Sequence, residues 1–440
     1  MTKREVLTAI AAAVALAVLA AACSDSSSDS ASPSESARVG DAMSYIRGHN
    51  QDVAFEGLRE TDRAPGGKQD GPAGRYPPLP SLLVGVRDGE GYRGYVSPDP
   101  GADPASSPAS VASSTKSFTA ALILQLDQEG KLSIDDTLAN PRWRDAIKWP
   151  NGESITLRMV LAHTAGIPNY EDSEAFARRK LDPGWDPTPR EVISFARRLP
   201  PSFAPGRGWE YSNTGYQILG LVIEAVTGRS YADELERRFF GPLDLENTHL
   251  FGHQPGPGSG ASYFLWCKAM PPPKPSSPPA AKQKSEAACL GKRPPAYLPM
   301  SEYYANNERK LAWADGGLVS TTQDMTSWIT KLVASDEVLD RKHRALMQRA
   351  TPQSVKALAD TPDRPVRRHW KGYGLGLQVF RYDAGPGFGH GGNIEGFSSN
   401  AVYLPGHGND FALEVIPPLI EADTAFDSTN RIATAVTGRR

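Results

Sequence analysis

Apolar residues recur every three to four positions along several stretches of the chain, a spacing that places them on one face of an α-helix. The stretch 188–199 starts with a Thr cap followed by Pro, and the stretch 211–228 ends at Gly228, as helices commonly start and end. Helices are predicted at 38–55, 112–132 and 188–199, in 211–228 after an opening loop, and in 316–335 after a cap at Ser320 or Thr321. A shorter helix is predicted within 155–168, running into a loop at His163.

Short segments rich in β-branched and aromatic residues lie at both ends of this helical part. Residues 81–89 and 91–96 are predicted as two strands joined by an Asp-Gly turn. Turn-bounded strands are also predicted at 374–382, 385–392, 398–405 and 410–417, before a closing helix near 427–437. This order predicts an α+β fold: an antiparallel sheet formed by N- and C-terminal strands and flanked by helices, next to a mostly helical lobe.

The N-terminus has a different pattern. Lys3 and Arg4 precede an apolar run that ends in small residues at Ala22, which is typical of an export signal, and we predict a signal peptide at 1–22. The sequence LAAAC at its end resembles a bacterial lipoprotein box, which implies lipidation of Cys23; the alternative is a plain secretory signal. The serine-rich residues 23–37 carry too few apolar groups to fold and are predicted to be a disordered tether. We therefore expect a membrane-anchored lipoprotein outside the cytoplasm or, in the alternative, a secreted protein.

Charge and cysteine content limit which partners and which structural bonds are expected. The formal net charge is −2, so no broad positive field favours nucleic acid, and none is expected as a partner. Residues 38–440 are predicted to form one domain with a proline-rich surface insertion at 255–299. That insertion contains Cys267 and Cys289, and two cysteines in an oxidising compartment are expected to form a disulfide. Neither cysteine has a second ligand at zinc-type spacing, so no metal site is predicted.

Ser113 and Lys116 lie at the start of the predicted helix 112–132 and share one helix face, because they are three residues apart. A serine hydroxyl becomes a nucleophile when a base removes its proton. A lysine can serve as that base when burial lowers its pKa from about 10.4 toward neutrality. The apolar residues 118–126 can supply that burial.

Two further motifs distinguish this S-x-x-K from a chance match: Y-x-N at Tyr211 to Asn213, and H-G-G from His390 to Gly392. In this order the three motifs resemble those of the serine β-lactamase and D-alanyl-D-alanine carboxypeptidase superfamily, most closely its class C β-lactamase and Streptomyces-type carboxypeptidase branch. The phrases LAHTAGIP, GYQILGLVIEAVTG and GGLVSTTQDM also look like that branch. The resemblance covers roughly residues 80–418 apart from the insertion, and it implies the β-lactamase/penicillin-binding-like fold.

The resemblance also implies roles for individual residues. Ser113 would be the acylated nucleophile, Lys116 its proton acceptor, and Tyr211 a proton shuttle to the leaving group that later activates water. The substrate would be bound by residues of the other two motifs and the position that follows: Asn213, His390, Gly392 and Asn393. Of these, Asn213 would hold the substrate amide, His390 on an edge strand would line the opposite wall, and the backbone N–H groups of Ser113 and Asn393 would form an oxyanion hole. No cofactor is implied.

Several residues compete for these roles. A second Y-x-N occurs at Tyr304 to Asn306, beside the insertion and without a following apolar helix, so Tyr211 is preferred. Ser114 is two residues from Lys116 and would point off its face. His163 is expected to have a structural hydrogen-bonding role, and His407 is expected in a solvated turn.

The third motif departs from the family pattern at Gly391, where relatives that recognise a substrate carboxylate often carry a hydroxyl residue. A threonine at position 391 is therefore expected to improve turnover of such substrates, and Arg381 is a possible substitute for the missing contact. His390 in place of lysine is expected to make the charge of this wall sensitive to pH near 6.5.

The leading hypothesis is a serine hydrolase that forms an acyl-enzyme on cell-wall D-Ala-D-Ala peptides or β-lactams, with peptidoglycan stem peptides as partners. The alternatives are an esterase or amidase of the same fold, and a non-catalytic peptidoglycan-binding lipoprotein.

Overall fold

The computed structural model describes most of the chain between residues 35 and 438. The described ranges are 35–46, 82–97, 103–180, 185–253, 305–360, 368–394, 397–406, 410–416 and 422–438, with the strand segments 263–266 and 296–299.

The strands are β1 (Leu82–Asp88), β2 (Gly91–Ser97), β3 (Ala109–Ser110), β4 (His249–Leu250), β5 (Tyr263–Trp266), β6 (Ala296–Pro299), β7 (Leu318–Ser320), β8 (Trp370–Tyr373), β9 (Gln378–Tyr382), β10 (Gly385–Ile394), β11 (Phe397–Leu404) and β12 (Phe411–Ile416). The helices are α1 (35–46), α2 (Thr115–Gln128), α3 (Arg144–Ile147), α4 (Leu157–Leu161), α5 (Glu174–Arg179), α6 (Pro189–Ala196), α7 (Asn213–Thr227), α8 (Tyr231–Leu235), α9 (Ala305–Gly316), α10 (Thr322–Ala334), α11 (Arg341–Gln348), α12 (Pro352–Ala359) and α13 (Ala422–Thr437).

The N- and C-terminal strands form one antiparallel sheet of seven strands in the order β2-β1-β12-β11-β10-β9-β8. Val84 of β1 lies opposite Val415 of β12, and Val402 of β11 lies opposite Leu413 of β12. The first strands of the domain therefore pair with its last strands, which confirms the predicted α+β architecture.

Helices cover both faces of this sheet. On one face, Val39 of α1 and Ile432 of α13 belong to a single apolar core with the strands. On the other face, α2 is buried along its length, and its Phe118 stacks on Trp328 of α10 with ring centroids 3.7 Å apart. Helix α7 packs beside α2 in the helical lobe and ends at Gly228, which has the left-handed backbone that a helix C-terminus favours. The N-terminal ends of α2 and α7 are thereby brought to the boundary between sheet and lobe.

Three sequence predictions need correction or restriction. Helix α1 spans 35–46 rather than beginning at 38, so it includes the last three residues of the segment predicted as a tether. The insertion contains a two-stranded ladder in which β5 pairs with β6. Residues 1–22, Cys23, Cys267 and Cys289 lie outside the described residues, so the predicted signal peptide, lipidation and disulfide remain predictions. Within the described part, no helix has the length and apolar character needed to span a membrane.

Candidate active site

The segment that carries Ser113 turns sharply between β3 and α2. Residues Ala112–Ser114 form a single 3-10 turn, and Ala112 has a φ of 46°. A positive φ at a non-glycine residue costs on the order of 1–3 kcal/mol and is frequent where a reactive side chain must be aimed. Ser113 is partly exposed at this turn, whereas Lys116, one helical turn later, is fully buried.

Lys116 contacts Ser113 as the spacing predicted. Its Nζ lies 3.1 Å from Ser113 Oγ, 2.7 Å from Asn213 Oδ1 and 2.6 Å from the backbone oxygen of Asp315. Burial lowers the pKa of Lys116 to about 8, although the carboxylates of Asp315 and Glu171 act in the opposite direction. About a tenth of the lysine is therefore neutral at pH 7 and about half at pH 8, and the neutral form can accept the serine proton.

Tyr211 extends from the loop before α7 toward the same point. Its ring centroid lies 4.9 Å from Lys116 Nζ. Its hydroxyl is buried and has no partner within hydrogen-bond geometry among the described residues. Burial raises the pKa of Tyr211 well above its usual value, although the Ser113 hydroxyl acts to lower it. Tyr211 therefore carries its proton in the resting site.

Asn213 begins α7 and joins two charged groups. Its Oδ1 accepts from Lys116, and its Nδ2 donates to Glu171 Oε2 at 2.9 Å. The same Glu171 oxygen accepts from Asn169 Nδ2 at 3.1 Å. The sequence analysis missed Glu171; the available signal was its position three residues after the family-like phrase LAHTAGIP.

Asp315 is a second residue that the sequence analysis missed. Its carboxylate accepts from Tyr170 Oη at 3.1 Å and from Gln217 Nε2 at 2.9 Å, and it is 2 % exposed. Burial raises the pKa of Asp315 to about 7, partly opposed by Lys116. Its position immediately before GGLVSTTQDM was the signal that could have identified it.

His390 lies on β10, which is an interior strand of the sheet rather than the predicted edge strand. Ladder pairing of β10 with β9 covers residues 385–389, and beyond it the Gly391 N–H donates to the side-chain oxygen of Gln378 on β9 at 2.7 Å. His390 Nδ1 donates to the Gly391 oxygen at 2.6 Å, and its Nε2 accepts from Tyr373 Oη at 3.0 Å. Burial, reinforced by Lys116, lowers the pKa of His390 to about 3. The expected charge change near pH 6.5 is therefore wrong, and His390 is a neutral part of the wall.

The two glycines after His390 face different surroundings. A Cβ at Gly392 would lie 2.1 Å from the Val111 oxygen and 2.9 Å from the Ser113 nitrogen, so β10 passes directly against the backbone of the nucleophile turn. A Cβ at Gly391 would instead lie 2.4 Å from Phe426 of α13, in the core on the other face of the sheet. The expectation that threonine at position 391 would serve the substrate is therefore wrong, because its Cβ would clash with Phe426. The exposed Asn393 follows Gly392 on the same strand.

The other candidate residues lie away from Lys116 or make structural hydrogen bonds. Ser114 donates to the backbone oxygen of His390 at 2.7 Å, away from Lys116. His163 Nδ1 accepts from the Ser212 N–H at 3.2 Å, the kind of structural bond predicted for it. Arg381 is exposed and lies opposite Pro386, four residues before His390 and about 13 Å along the strand.

Two of the alternatives fall partly or wholly outside the described residues. Tyr304 and His407 are not among them, and of Asn306 only the helical backbone is described. In the described part of the chain, no cluster of His, Cys, Asp and Glu could hold a metal ion.

Comparison with known proteins identifies the family and the fold. A family model described as Beta-lactamase matches residues 82–426. Penicillin-binding protein 4* of Bacillus subtilis (strain 168) is 31 % identical over 148 residues, 32 % of this chain and 30 % of that protein. Protein flp of Staphylococcus aureus (strain MW2) is 34 % identical over 135 residues, 30 % of this chain and 26 % of that protein. The matches thus span less than a third of either relative.

Solved structures match over a larger share of both chains. A D-stereospecific amidohydrolase from Streptomyces sp. is 28 % identical with a TM-score of 0.62, covering 82 % of this chain and 95 % of that one. D-amino acid amidase from Ochrobactrum anthropi SV3, complexed with D-phenylalanine, is 22 % identical with a TM-score of 0.64, covering 81 % and 94 %. The second likeness, at its lower identity, is evidence for the fold alone.

Proposed function

Because this chain belongs to the beta-lactamase family of serine hydrolases, we propose that it hydrolyses amides of D-amino acids through an acyl-enzyme on Ser113. The observation that carries this proposal is the charge of the site. Among the described residues that contact the three motifs, Lys116 is the one cation, while Glu171 and Asp315 are acidic and His390 is neutral. A substrate with a free carboxylate therefore finds no cation besides the catalytic Lys116, whereas a neutral amide group needs none.

The reaction begins when neutral Lys116 takes the Ser113 proton and Ser113 Oγ bonds to the amide carbonyl carbon. The negative charge that develops on the carbonyl oxygen is stabilised by the backbone N–H groups of Ser113 and Asn393, since the strand bearing Asn393 passes against the Ser113 turn. Tyr211 donates its proton to the departing nitrogen and regains one from Lys116, so the C–N bond breaks and ammonia leaves.

Deacylation reverses these transfers with water as the nucleophile. The water gives a proton to Lys116, directly or through Tyr211, and its oxygen bonds to the acyl carbon. The bond to Ser113 Oγ then breaks, Ser113 regains its proton, and the carboxylic acid is released. Burial keeps Tyr211 protonated at rest, so its hydroxyl carries a proton that it can pass to the departing nitrogen.

Similarity to the Streptomyces amidohydrolase supports an amide as the substrate, since that match covers nearly all of the solved chain at 28 % identity. A second candidate is a penicillin-binding activity on D-Ala-D-Ala peptides or β-lactams, which the match to penicillin-binding protein 4* favours. That candidate requires recognition of a substrate carboxylate, and a charge-assisted hydrogen bond to it is worth about 1.5–3 kcal/mol. Among the described residues that contact the motifs, Lys116 is the one cation that could donate it.

Ammonia release from D-phenylalaninamide, measured beside labelling by a fluorescent penicillin and a fluorophosphonate, separates these activities. We expect ammonia release that is lost in Ser113→Ala and retained in Ser194→Ala, a control at a half-buried serine of α6. Stable penicillin labelling without amide hydrolysis would establish the second candidate instead. Labelling that persists in Ser113→Ala would exclude Ser113 as the nucleophile.

For localisation, we propose that Cys23 carries a lipid that anchors the domain outside the cytoplasm. The charged start and the apolar run before LAAAC support it. Metabolic labelling with a palmitate analogue should mark the wild type and not Cys23→Ser, and equal labelling of both would refute the anchor.

A further inference from the structure

We propose that Glu171 binds the free α-ammonium group of the substrate, so that the enzyme selects amino-acid amides whose amine is unblocked. This inference rests on the proposed amidase function and adds a specificity residue to it.

One oxygen of the Glu171 carboxylate accepts hydrogen bonds from the protein, and the other is available to a ligand. It lies in the single 3-10 turn Tyr170–Asp172, where Oε2 accepts from Asn213 Nδ2 and Asn169 Nδ2. Oε1 makes no hydrogen bond, and no cation forms an ion pair with Glu171, among the residues that the structure describes. The side chain is exposed. Two amide donors therefore fix the carboxylate while leaving an acceptor available to a ligand.

The neighbouring Asn213 explains why an ammonium fits better than an acylated amine. Both ends of the Asn213 amide are engaged, with Oδ1 on Lys116 and Nδ2 on Glu171. An acylamino substrate that approached Asn213 would bring a carbonyl oxygen toward the Glu171 carboxylate, and two acceptors would face each other. An ammonium carries three donors and no acceptor, so it can bind the open oxygen of Glu171 without disturbing Asn213.

Glu171 also acts on the catalytic base. Its charge contributes to raising the pKa of Lys116, and with Asp315 it partly offsets the effect of burial. A cation bound at Glu171 would weaken that contribution and favour neutral Lys116 when substrate is present. Glu171 would thus couple recognition of the amine to readiness of the base.

The first test compares D-phenylalaninamide with N-acetyl-D-phenylalaninamide. Wild-type enzyme should prefer the free amine in kcat/KM by about tenfold or more, and Glu171→Gln should lose about tenfold of that preference, mostly through KM, as expected for removal of a charge-assisted hydrogen bond. Glu153→Gln removes the same charge from an exposed turn remote from the motifs and should match the wild type. An unchanged preference in Glu171→Gln would overturn the inference.

A binding measurement separates this inference from the proposed activity. Calorimetry on Ser113→Ala should show tighter binding of D-phenylalaninamide than of its N-acetyl form, and Ser113→Ala/Glu171→Gln should bind both alike. If wild type hydrolyses neither amide but this discrimination persists, the inference stands and the amidase proposal fails. If Ser113→Ala binds neither compound, or both equally, the inference fails whatever the activity.

Discussion

Replacing Gly392 with alanine should slow acylation of Ser113 by about 100-fold, because a misplacement of about 1 Å at a reacting group has that effect. The added Cβ would lie 2.1 Å from the Val111 oxygen, and real Cβ atoms essentially never approach closer than 3.0 Å. The obstacle is backbone, so no side-chain rotation relieves it, and β10 must move away from the nucleophile turn by roughly 1 Å. That movement separates the N–H of Asn393 from the N–H of Ser113.

The rate of fluorophosphonate labelling measures this effect without knowledge of the natural substrate. Gly89→Ala is the matched control, because a Cβ there would meet no atom within 4 Å. Overpacking of this kind destabilises a protein by about 1–3 kcal/mol, so the melting temperature of Gly392→Ala should fall by only a few degrees, leaving it folded in the assay. A folded Gly392→Ala that is labelled within about twofold of the wild-type rate would refute the close approach of strand and turn.

Three other outcomes follow from the charges and cysteines. The labelling rate should rise between about pH 6 and about pH 9, with a midpoint near 8, as Lys116 becomes neutral. Asp315→Asn should lower that midpoint, because the Asp315 carboxylate raises the pKa of Lys116. A midpoint that is the same in Asp315→Asn and the wild type would contradict this effect. Glu414 is fully buried, and neither of its carboxylate oxygens has a hydrogen-bond partner among the residues that the structure describes. Burial raises the pKa of Glu414 well above its usual value of 4.5, so the wild type loses stability as the pH rises above 4.5 toward the pKa of the folded state. The melting temperature of Glu414→Gln relative to wild type should therefore increase with pH, and a constant difference would exclude the effect. Alkylation of the denatured protein should modify Cys267 and Cys289 only after reduction, and reductant should lower the melting temperature more than the labelling rate; free thiols without reductant would exclude the disulfide.

The contact of Ser113 with Lys116 could be predicted from sequence because it is local. Residues three apart on a helix share a face, and the predicted stretch 112–132 contains α2. The pairing of terminal strands followed likewise from the order of strand and helix patterns.

What the sequence could not supply depends on residues far apart along the chain. Glu171 accepts a hydrogen bond from Asn213, 42 residues away, and the backbone oxygen of Asp315 accepts one from Lys116 across 199 residues. The short loop carrying Glu171 and the strained turn at Trp313 before Asp315 have no periodicity that reveals which way their side chains face.

The same limit explains the two wrong expectations at the third motif. His390 was expected to titrate near neutrality, but its protonation depends on the burial and the nearby Lys116 that folding provides. A threonine at position 391 was expected to offer its hydroxyl to the substrate, but Phe426 of α13 occupies the space on that side of the strand. The sequence by itself determined which side chains are present and how they alternate along each strand and helix. Tertiary structure decided their pKa values and the space around them, because desolvation and steric contact arise from atoms that the chain brings together only when it folds.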